Sequence, residues 1–425
     1  MPRAVVIGGG IGGLTAGIAL RRKGWEVTVL ERAPRLEPVG AGVAVAANAL
    51  KALDAIGVGD RVRKLSRLQG QVGLRSPDGR WLTRTTEDKA REKFGDSVVI
   101  LHRATLVDVL VDALGADALR LGTTVTSVER DSVRTADGVR AADGVLEADL
   151  IVAADGIHSA TRAALFPAHP GPVYAGVTAW RGLVPALDRE IRSTETWGMG
   201  LVFGAHQMDD ELIYYYATDL SPAGATHGDE REELLRRFGG WHDPIPDLIR
   251  ASENDRILRN DLYYFDRPLE AMHRGRVALL GDAAHPMTPN LGQGACQAIE
   301  DAIVLAMAAS GELASEELTS GELATDELTS GESEASASIG GDVMEARLAA
   351  YTAARLERTA MITRQAMNIC RATKLRNPLA VGLRDAGMKA ASRLTPDLML
   401  RSMEQVLGWR PPAPVSSGPG PAARG

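Results

Sequence analysis

The chain has 425 residues, 45% apolar and 24% charged, with 45 glycines, only 4% aromatic residues and a formal charge of −7. That length predicts two or three domains with a sizeable core, and the composition excludes a chain disordered throughout. Two cysteines, Cys296 and Cys370, exclude a disulfide framework or a four-cysteine zinc site and point to a reducing cytosol.

Residues 4–7 form a short apolar run, the pattern of a central parallel strand with both faces covered. The N-terminus enters that strand directly, without a charged leader and hydrophobic core, so the expected location is cytoplasmic. Residues 11–22 predict a helix and 27–30 a second buried strand ended by Glu31, together one βαβ unit. A short helix is expected over 47–56. Strands and a hairpin are expected over 61–84, turning at Pro77-Asp78-Gly79-Arg80. Residues 103–114 predict a helix. Residues 125–139 look strand-like, with a turn at Asp137-Gly138, and 150–154 predict another buried strand.

From 170 to 266 the texture changes. Strands are expected over 173–183, 194–204 and 211–217, with a helix over 231–238. Residues 276–280 return to the buried-strand pattern and are expected to rejoin the first sheet. A ten-residue repeat begins at Gly311 and restarts at Gly321, too short a period for a helical solenoid. Nine acidic residues and no Lys or Arg lie between Ser310 and Asp342, so the negative charge is local. No basic stripe suggests nucleic acid, and no apolar run reaches the roughly 20 residues of a membrane span. Residues 344–368 predict an amphipathic helix with Ala349, Ala353, Leu356, Ala360 and Met367 on one stripe and Arg347 and Arg358 opposite. Residues 409–425 are rich in Pro, Gly and Ser and read as disordered.

The first chemical signal is Gly8-Gly9-Gly10-Ile11-Gly12-Gly13, a G-x-G-x-x-G turn between a strand and a helix. Gly8 permits the tight turn, Gly10 lets backbone approach a pyrophosphate, and Gly13 lets helix and strand pack closely. The free N–H groups of the helix start face the phosphates. Glu31 ends the next strand, where its carboxylate can accept hydrogen bonds from a ribose. This establishes a dinucleotide site without separating FAD from NAD. Two further motifs each follow a buried strand: Ala154-Asp155-Gly156-Ile157-His158-Ser159-Ala160-Thr161-Arg162, and Gly281-Asp282-Ala283-Ala284-His285-Pro286 leading into Pro289-Asn290-Leu291-Gly292-Gln293-Gly294.

With three motifs in this order, the chain resembles the FAD-dependent aromatic hydroxylases, single-component monooxygenases similar to para-hydroxybenzoate hydroxylase, in their short, salicylate hydroxylase-like branch. The resemblance runs from residue 2 to about 375, apart from the repeat. It implies an α/β fold, in which a Rossmann-like FAD-binding domain holds an inserted mixed or antiparallel β-sheet substrate domain and ends in C-terminal helices. The expected divisions are 1–169 and 267–308 for FAD, 170–266 for substrate, 309–342 for an acidic flexible insertion, 343–406 for helices and 407–425 for a disordered tail.

The resemblance further implies that the glycine turn and Glu31 bind the ADP half of FAD, and that Arg103 contacts its phosphate–ribityl region. Asp155 and Gly156 are linked to FAD and NAD(P)H, Asp282 to the ribityl chain, and Pro289, Gly292 and Gly294 to the isoalloxazine ring. Arg181, Pro289 and His285 are the candidate catalytic residues; His285 is equally readable as a structural hydrogen-bonding residue, and Arg162 as a structural ion-pair partner. Arg181, Tyr214 and Tyr216 are the candidate substrate contacts, the two tyrosines sharing a strand face by period two. His206 and Gln207 read as a turn. The implied chemistry is hydride transfer from NADH or NADPH to FAD, then O2 addition to give a C4a-hydroperoxyflavin that hydroxylates an electron-rich phenolic ring. Alternatives on the same scaffold are epoxidation, oxidative rearrangement or decarboxylation, and prenyl reduction; a catalytically silent flavin-binding interaction protein is a third. No Cys-x-x-Cys pair suggests a disulfide reductase, and the scattered histidines build no metal site. The expected partners are an aromatic small molecule and O2, with a monomer or homodimer as the assembly.

Overall fold

The computed structural model describes residues 1–36, 41–65, 71–136, 144–188, 191–208, 211–313, 339–394 and 398–414. Strand Arg3–Ile7 is the hub of a six-stranded sheet. It pairs in parallel with Glu26–Leu30 on one side and Leu150–Ala153 on the other. Val277–Leu279 joins in parallel beyond Leu150–Ala153, as the buried-strand pattern predicts, and His273–Arg274 closes that edge antiparallel. Leu119–Arg120 closes the other edge.

The unbroken apolar run of the hub follows from covering both faces. Ala4 and Val6 pack with Leu14, Ile18 and Ile299 under helices, whereas Val5 and Ile7 pack with Val133 and Ile151 on the opposite side. The helical side carries Ile11–Arg22 and Gly294–Ala309; the latter is buried nearly all round between its neighbours. The opposite side carries the strands Val125–Val128, Ser132–Thr135 and Val145–Glu147. The strand-like stretch from 125 thus breaks at 129–131. The turn expected at Asp137-Gly138 lies outside the described residues.

A seven-stranded sheet stands against this unit. Its order is Leu258–Tyr264, Val173–Pro185, Leu212–Leu220, Leu201–Gln207, Thr194–Trp197, Gln71–Arg75 and Trp81–Thr86. All its pairings are antiparallel except that of Thr194–Trp197 with Gln71–Arg75. Its last hairpin therefore comes from before residue 170, and residues 61–63, the start of the stretch expected as strands, instead end the helix Gly59–Arg63. The predicted strand over 194–204 is two strands, because the chain reverses at Gly198 to Gly200, where Gly200 has a φ of +78°. His206 and Gln207 lie in the strand Leu201–Gln207, not in a turn.

Of the expected stripe, the long helix Gly341–Thr373 buries Met367 alone; its buried stripe otherwise runs through Met344, Leu348, Tyr351, Arg355, Thr359, Ile362, Ala366 and Cys370. Arg355 is fully buried at its centre, and this shifts the stripe. Arg355 Nη1 donates to Glu300 Oε2 at 2.5 Å and its Nε to Asp301 Oδ1 at 2.7 Å, both carboxylates belonging to Gly294–Ala309. The tail expected to be disordered from 407 is docked through Trp409. Val406 and Leu407 are buried, Arg358 Nη2 donates to the Val406 carbonyl at 2.9 Å, and the Trp409 ring lies 5.7 Å from the Arg358 guanidinium. The repeat over 314–338 and residues 415–425 lie outside the described residues. Among the described residues no helix is long and apolar enough to cross a membrane.

Candidate active site

An elongated cavity of about 690 Å³ lies between the two sheets. Gly10, Gly12 and Gly13 line one end; Arg181, Tyr214 and Tyr216 line the other. At the glycine end, Gly8 has a φ of +110°, and a Cβ on Gly13 would lie 2.0 Å from the Gly8 carbonyl oxygen. Only glycine allows this close crossing of strand and helix. No side chain caps the helix Ile11–Arg22, whose N-cap is Gly10, so its first N–H groups face the cavity. Glu31 does not line the cavity. Its carboxylate accepts from Gly9 N at 2.7 Å and Ala33 N at 2.9 Å, holding the turn from behind.

The middle of the cavity is built by three loops. Arg103 enters where Gly42–Val45 pairs with Val99–His102, its own N–H bonded to the Ala41 carbonyl at 3.0 Å. Gly156 and Asp282 line the wall. Arg162 joins their loops by donating to the Ile157 and Ala283 carbonyls at 2.9 and 3.2 Å; it is a backbone staple rather than an ion-pair partner. Asp155 accepts from Thr161 N at 3.2 Å through Oδ2, while its buried Oδ1 has no partner. Desolvation raises the Asp282 pKa, opposed by His285 and Arg103. Pro289–Leu291 forms a single turn, Gly292 follows with a φ of +62°, and Gly294 opens a 16-residue helix that no side chain caps. Pro289, Gly292 and Gly294 all line the cavity.

His285 does not. It is buried, and its Nε2 lies 2.5 Å from Asp301 Oδ2. Burial raises the Asp301 pKa, but His285 and Arg355 outweigh it and hold the carboxyl at about 2. Asp301 also accepts from Gly281 N at 3.0 Å. His285 thus belongs to the buried charge network behind the Asp282 loop and, contrary to expectation, does not reach the cavity.

At the far end the substrate sheet presents one row of residues in register. Arg181 opposes Tyr216, Tyr216 opposes Gly204, and Gly204 opposes Glu195. Arg181 Nη1 donates to Asn260 Oδ1 at 3.0 Å, and its positive charge pulls the Tyr214 pKa down against the larger upward push of burial. The Tyr216 hydroxyl and Trp197 Nε1 both donate to the Glu195 carboxylate. His206 stacks on Tyr216 with ring centroids 5.9 Å apart; burial drops its pKa to about 4. Tyr215 points the other way, into the core with Phe203 and Phe238. Sequence reasoning identified Arg181, Tyr214 and Tyr216 but missed Glu195, His206 and Asn260. The polar alternation of Thr194-Glu195-Thr196 was the available signal, but it reads equally well as a solvated face.

A family model described as an FAD binding domain matches residues 2–200 and 251–320. The chain belongs to the class A FAD-binding monooxygenase family. It is 41% identical over 318 residues to the aurachin C monooxygenase/isomerase of Stigmatella aurantiaca, covering 72% of this chain and 80% of that one. It is 34% identical over 310 residues to an FAD-dependent urate hydroxylase of Klebsiella pneumoniae, covering 71% of this chain and 80% of that one. The structure of Klebsiella pneumoniae HpxO complexed with FAD and uric acid superposes with a TM-score of 0.77 at 27% identity, covering 92% of this chain and 94% of that one.

The monooxygenase is an FAD-dependent, oxygen-using enzyme, and its residues fit the cofactor. Two uncapped helix starts and a glycine-lined wall occur along one cavity, and the buried Asp155 carboxylate, with one oxygen unpartnered, stands between its lining residues Ala154 and Gly156. A Cβ on Gly10 or Gly294 would meet no protein atom, so both backbones lie open to a bound group.

Proposed function

We propose that the monooxygenase hydroxylates an electron-rich aromatic or heteroaromatic ring bearing an ionisable hydroxyl, with NADH or NADPH as reductant. The single observation that carries this reading is the continuity of the cavity from the glycine turn to the Arg181, Tyr214 and Tyr216 wall. FAD, when bound, supplies the activation of O2 after its reduction.

The chain's own residues then do the positioning. Gly10, Gly13 and the helix start would hold the diphosphate, with Glu31 bracing their turn from behind; Arg103 would hold the sugar and phosphate region, and Gly156 and Asp282, with the loop of Asp155, the ribityl side. Pro289, Gly292 and Gly294 run along the ring, where the dipole of the helix Gly294–Ala309 favours negative charge on the reduced cofactor. Arg181 and Tyr214 orient the substrate, and Tyr214 packs against the Gly42 backbone of the two-stranded pair Gly42–Val45 and Val99–His102.

The relative named for urate supports a fused, heteroatom-bearing ring as readily as a simple phenol. The monooxygenase/isomerase name of the aurachin C relative supports a second reading, oxygenation followed by rearrangement. Purified FAD-loaded protein should oxidise NADH or NADPH faster with one of a set of hydroxybenzoates, hydroxyquinolines and naphthols. The product should be heavier by one oxygen atom. Product structure separates hydroxylation from rearrangement; stimulation that yields only hydrogen peroxide from every compound would count against the reading.

A further inference from the structure

Outside the cofactor loops, the substrate end of the cavity holds one carboxylic acid among its described lining residues, Glu195. It occupies a built seat. Trp197 Nε1 holds one of its oxygens and the Tyr216 hydroxyl the other. Gly204, which lies between Glu195 and Tyr216 in register, makes the second contact possible. A Cβ there would lie 2.3 Å from Tyr216 Cζ, so only the bare backbone lets the phenol ring cross the strand and reach the acid. Each carboxylate oxygen carries two lone pairs. One on each is used, and the side chain lines the cavity with the others.

The other polar groups at this end cannot accept a proton at neutral pH. Arg181 is a cation. Burial raises the pKa of both Tyr214 and Tyr216, so they keep their protons. Burial lowers that of His206 to about 4, which makes it a weak base. Burial also raises the Glu195 pKa, partly offset by its hydrogen bonds from Trp197 and Tyr216. A raised carboxylate is the stronger base. Tyr216 and Trp197 touch its carboxylate; the other titratable groups lining this end are Tyr214 from Leu212–Leu220, His206 from Leu201–Gln207 and Arg181 from Val173–Pro185, and Leu74 opposes it from Gln71–Arg75. Among the described residues no Lys or Arg pairs with it.

We propose that Glu195 is the general base of the substrate cavity, and that the enzyme therefore selects rings whose O–H or N–H is conjugated to the carbon that is oxygenated. This rests on the aromatic-oxygenation reading above. The substrate O–H or N–H bond breaks, its electron pair stays on the heteroatom and spreads into the ring, and the proton bonds to a Glu195 oxygen. After oxygen transfer the proton returns to the product heteroatom, leaving Glu195 unchanged. Trp197, Tyr216 and Gly204 are positioning residues.

The test uses the FAD-loaded enzyme with salicylate, 4-hydroxybenzoate, 4-hydroxyquinoline and 1-naphthol, each beside its O-methyl ether, reading oxygenated product per NADH or NADPH consumed. The hydroxyl compounds should yield product and the ethers should not. For the best hydroxyl compound, Glu195→Gln should lower the product-forming rate by about a hundredfold or more and abolish the acidic limb of its pH profile. Tyr216→Phe removes a hydrogen bond to the ionised acid, so it should move that limb to higher pH. The Tyr216→Phe arm also decides the matter if Glu195→Gln fails to retain FAD. Equal turnover of hydroxyl compounds and ethers, or an unchanged acidic limb in the variants, would overturn the assignment. A wild-type enzyme that oxygenates none of the set overturns the aromatic reading itself, which is a separate result.

Discussion

Glycine does two different jobs along the cavity. At Gly13 it removes a collision inside the protein; at Gly10 it leaves room for something outside it. The two positions therefore respond differently to an added methyl. Gly13→Ala should cost about 1–3 kcal/mol, lowering both the melting temperature of the apoprotein and its FAD affinity. Gly10→Ala should leave the apoprotein's melting temperature unchanged and weaken FAD binding alone. Titration of both apoproteins with FAD, followed by flavin fluorescence, checks this; wild-type affinity in Gly10→Ala would remove Gly10 from the phosphate site. These glycines are legible in the sequence because their spacing is local. Gly204 is not: its function depends on Tyr216, a neighbour created only by strand register. Glu195 escapes for the same reason, since its two donors become informative only once the sheet has formed.

The long helix Gly341–Thr373 shows where periodicity misleads at the scale of an element. An apolar count places arginines on the wet side, yet Arg355 sits at the dry centre because Glu300 and Asp301 face it. Cutting it to Arg355→Met leaves those carboxylates buried without that cation, and should cost about 3–5 kcal/mol in unfolding free energy. A loss below about 1 kcal/mol in urea melts would mean the carboxylates find other partners. The same network makes stability acid-sensitive. Asp301 titrates at about 2 in the folded protein, against roughly 3.9 when unfolded. Its contribution is complete above the unfolded value and is lost as pH falls through the folded one. Asp301→Asn should therefore flatten the fall in stability between about pH 5 and pH 2, read from melting temperatures across that range. The buried strands, by contrast, follow from sequence directly, since covering both faces of a parallel sheet leaves a run of apolar residues with no alternation to misread.

Across the whole molecule, the division into a cofactor part and a substrate part is visible in the change of texture near residue 170. The exchange of segments between the parts is not. The hairpin Gln71–Arg75 and Trp81–Thr86 joins the distant sheet through one parallel pairing, and no local pattern announces that partner. The C-terminal segment misleads in a similar way. Its Pro-rich composition predicts disorder, but Trp409 docks over Arg355 and Arg358 with ring centroids 5.8 and 5.7 Å from their guanidinium carbons. Trp409→Ala should cost about 0.5–2 kcal/mol, seen as a lower melting temperature of the full chain; an unchanged midpoint would show that the tail contributes no stability through this contact.

The threading of the first sheet bears on how the protein is made. Its hub forms from residues 3–7, but Val277–Leu279 completes the row and Gly294–Ala309 roofs it only after nearly three hundred residues have been translated. A ribosome emitting roughly 5–20 residues per second leaves the half-built cofactor fold waiting for tens of seconds with an open sheet edge. During that interval most strands of the substrate sheet, which fall between 173 and 264, are translated. All seven of its strands have thus left the ribosome's decoding site before the last strands of the first sheet are made.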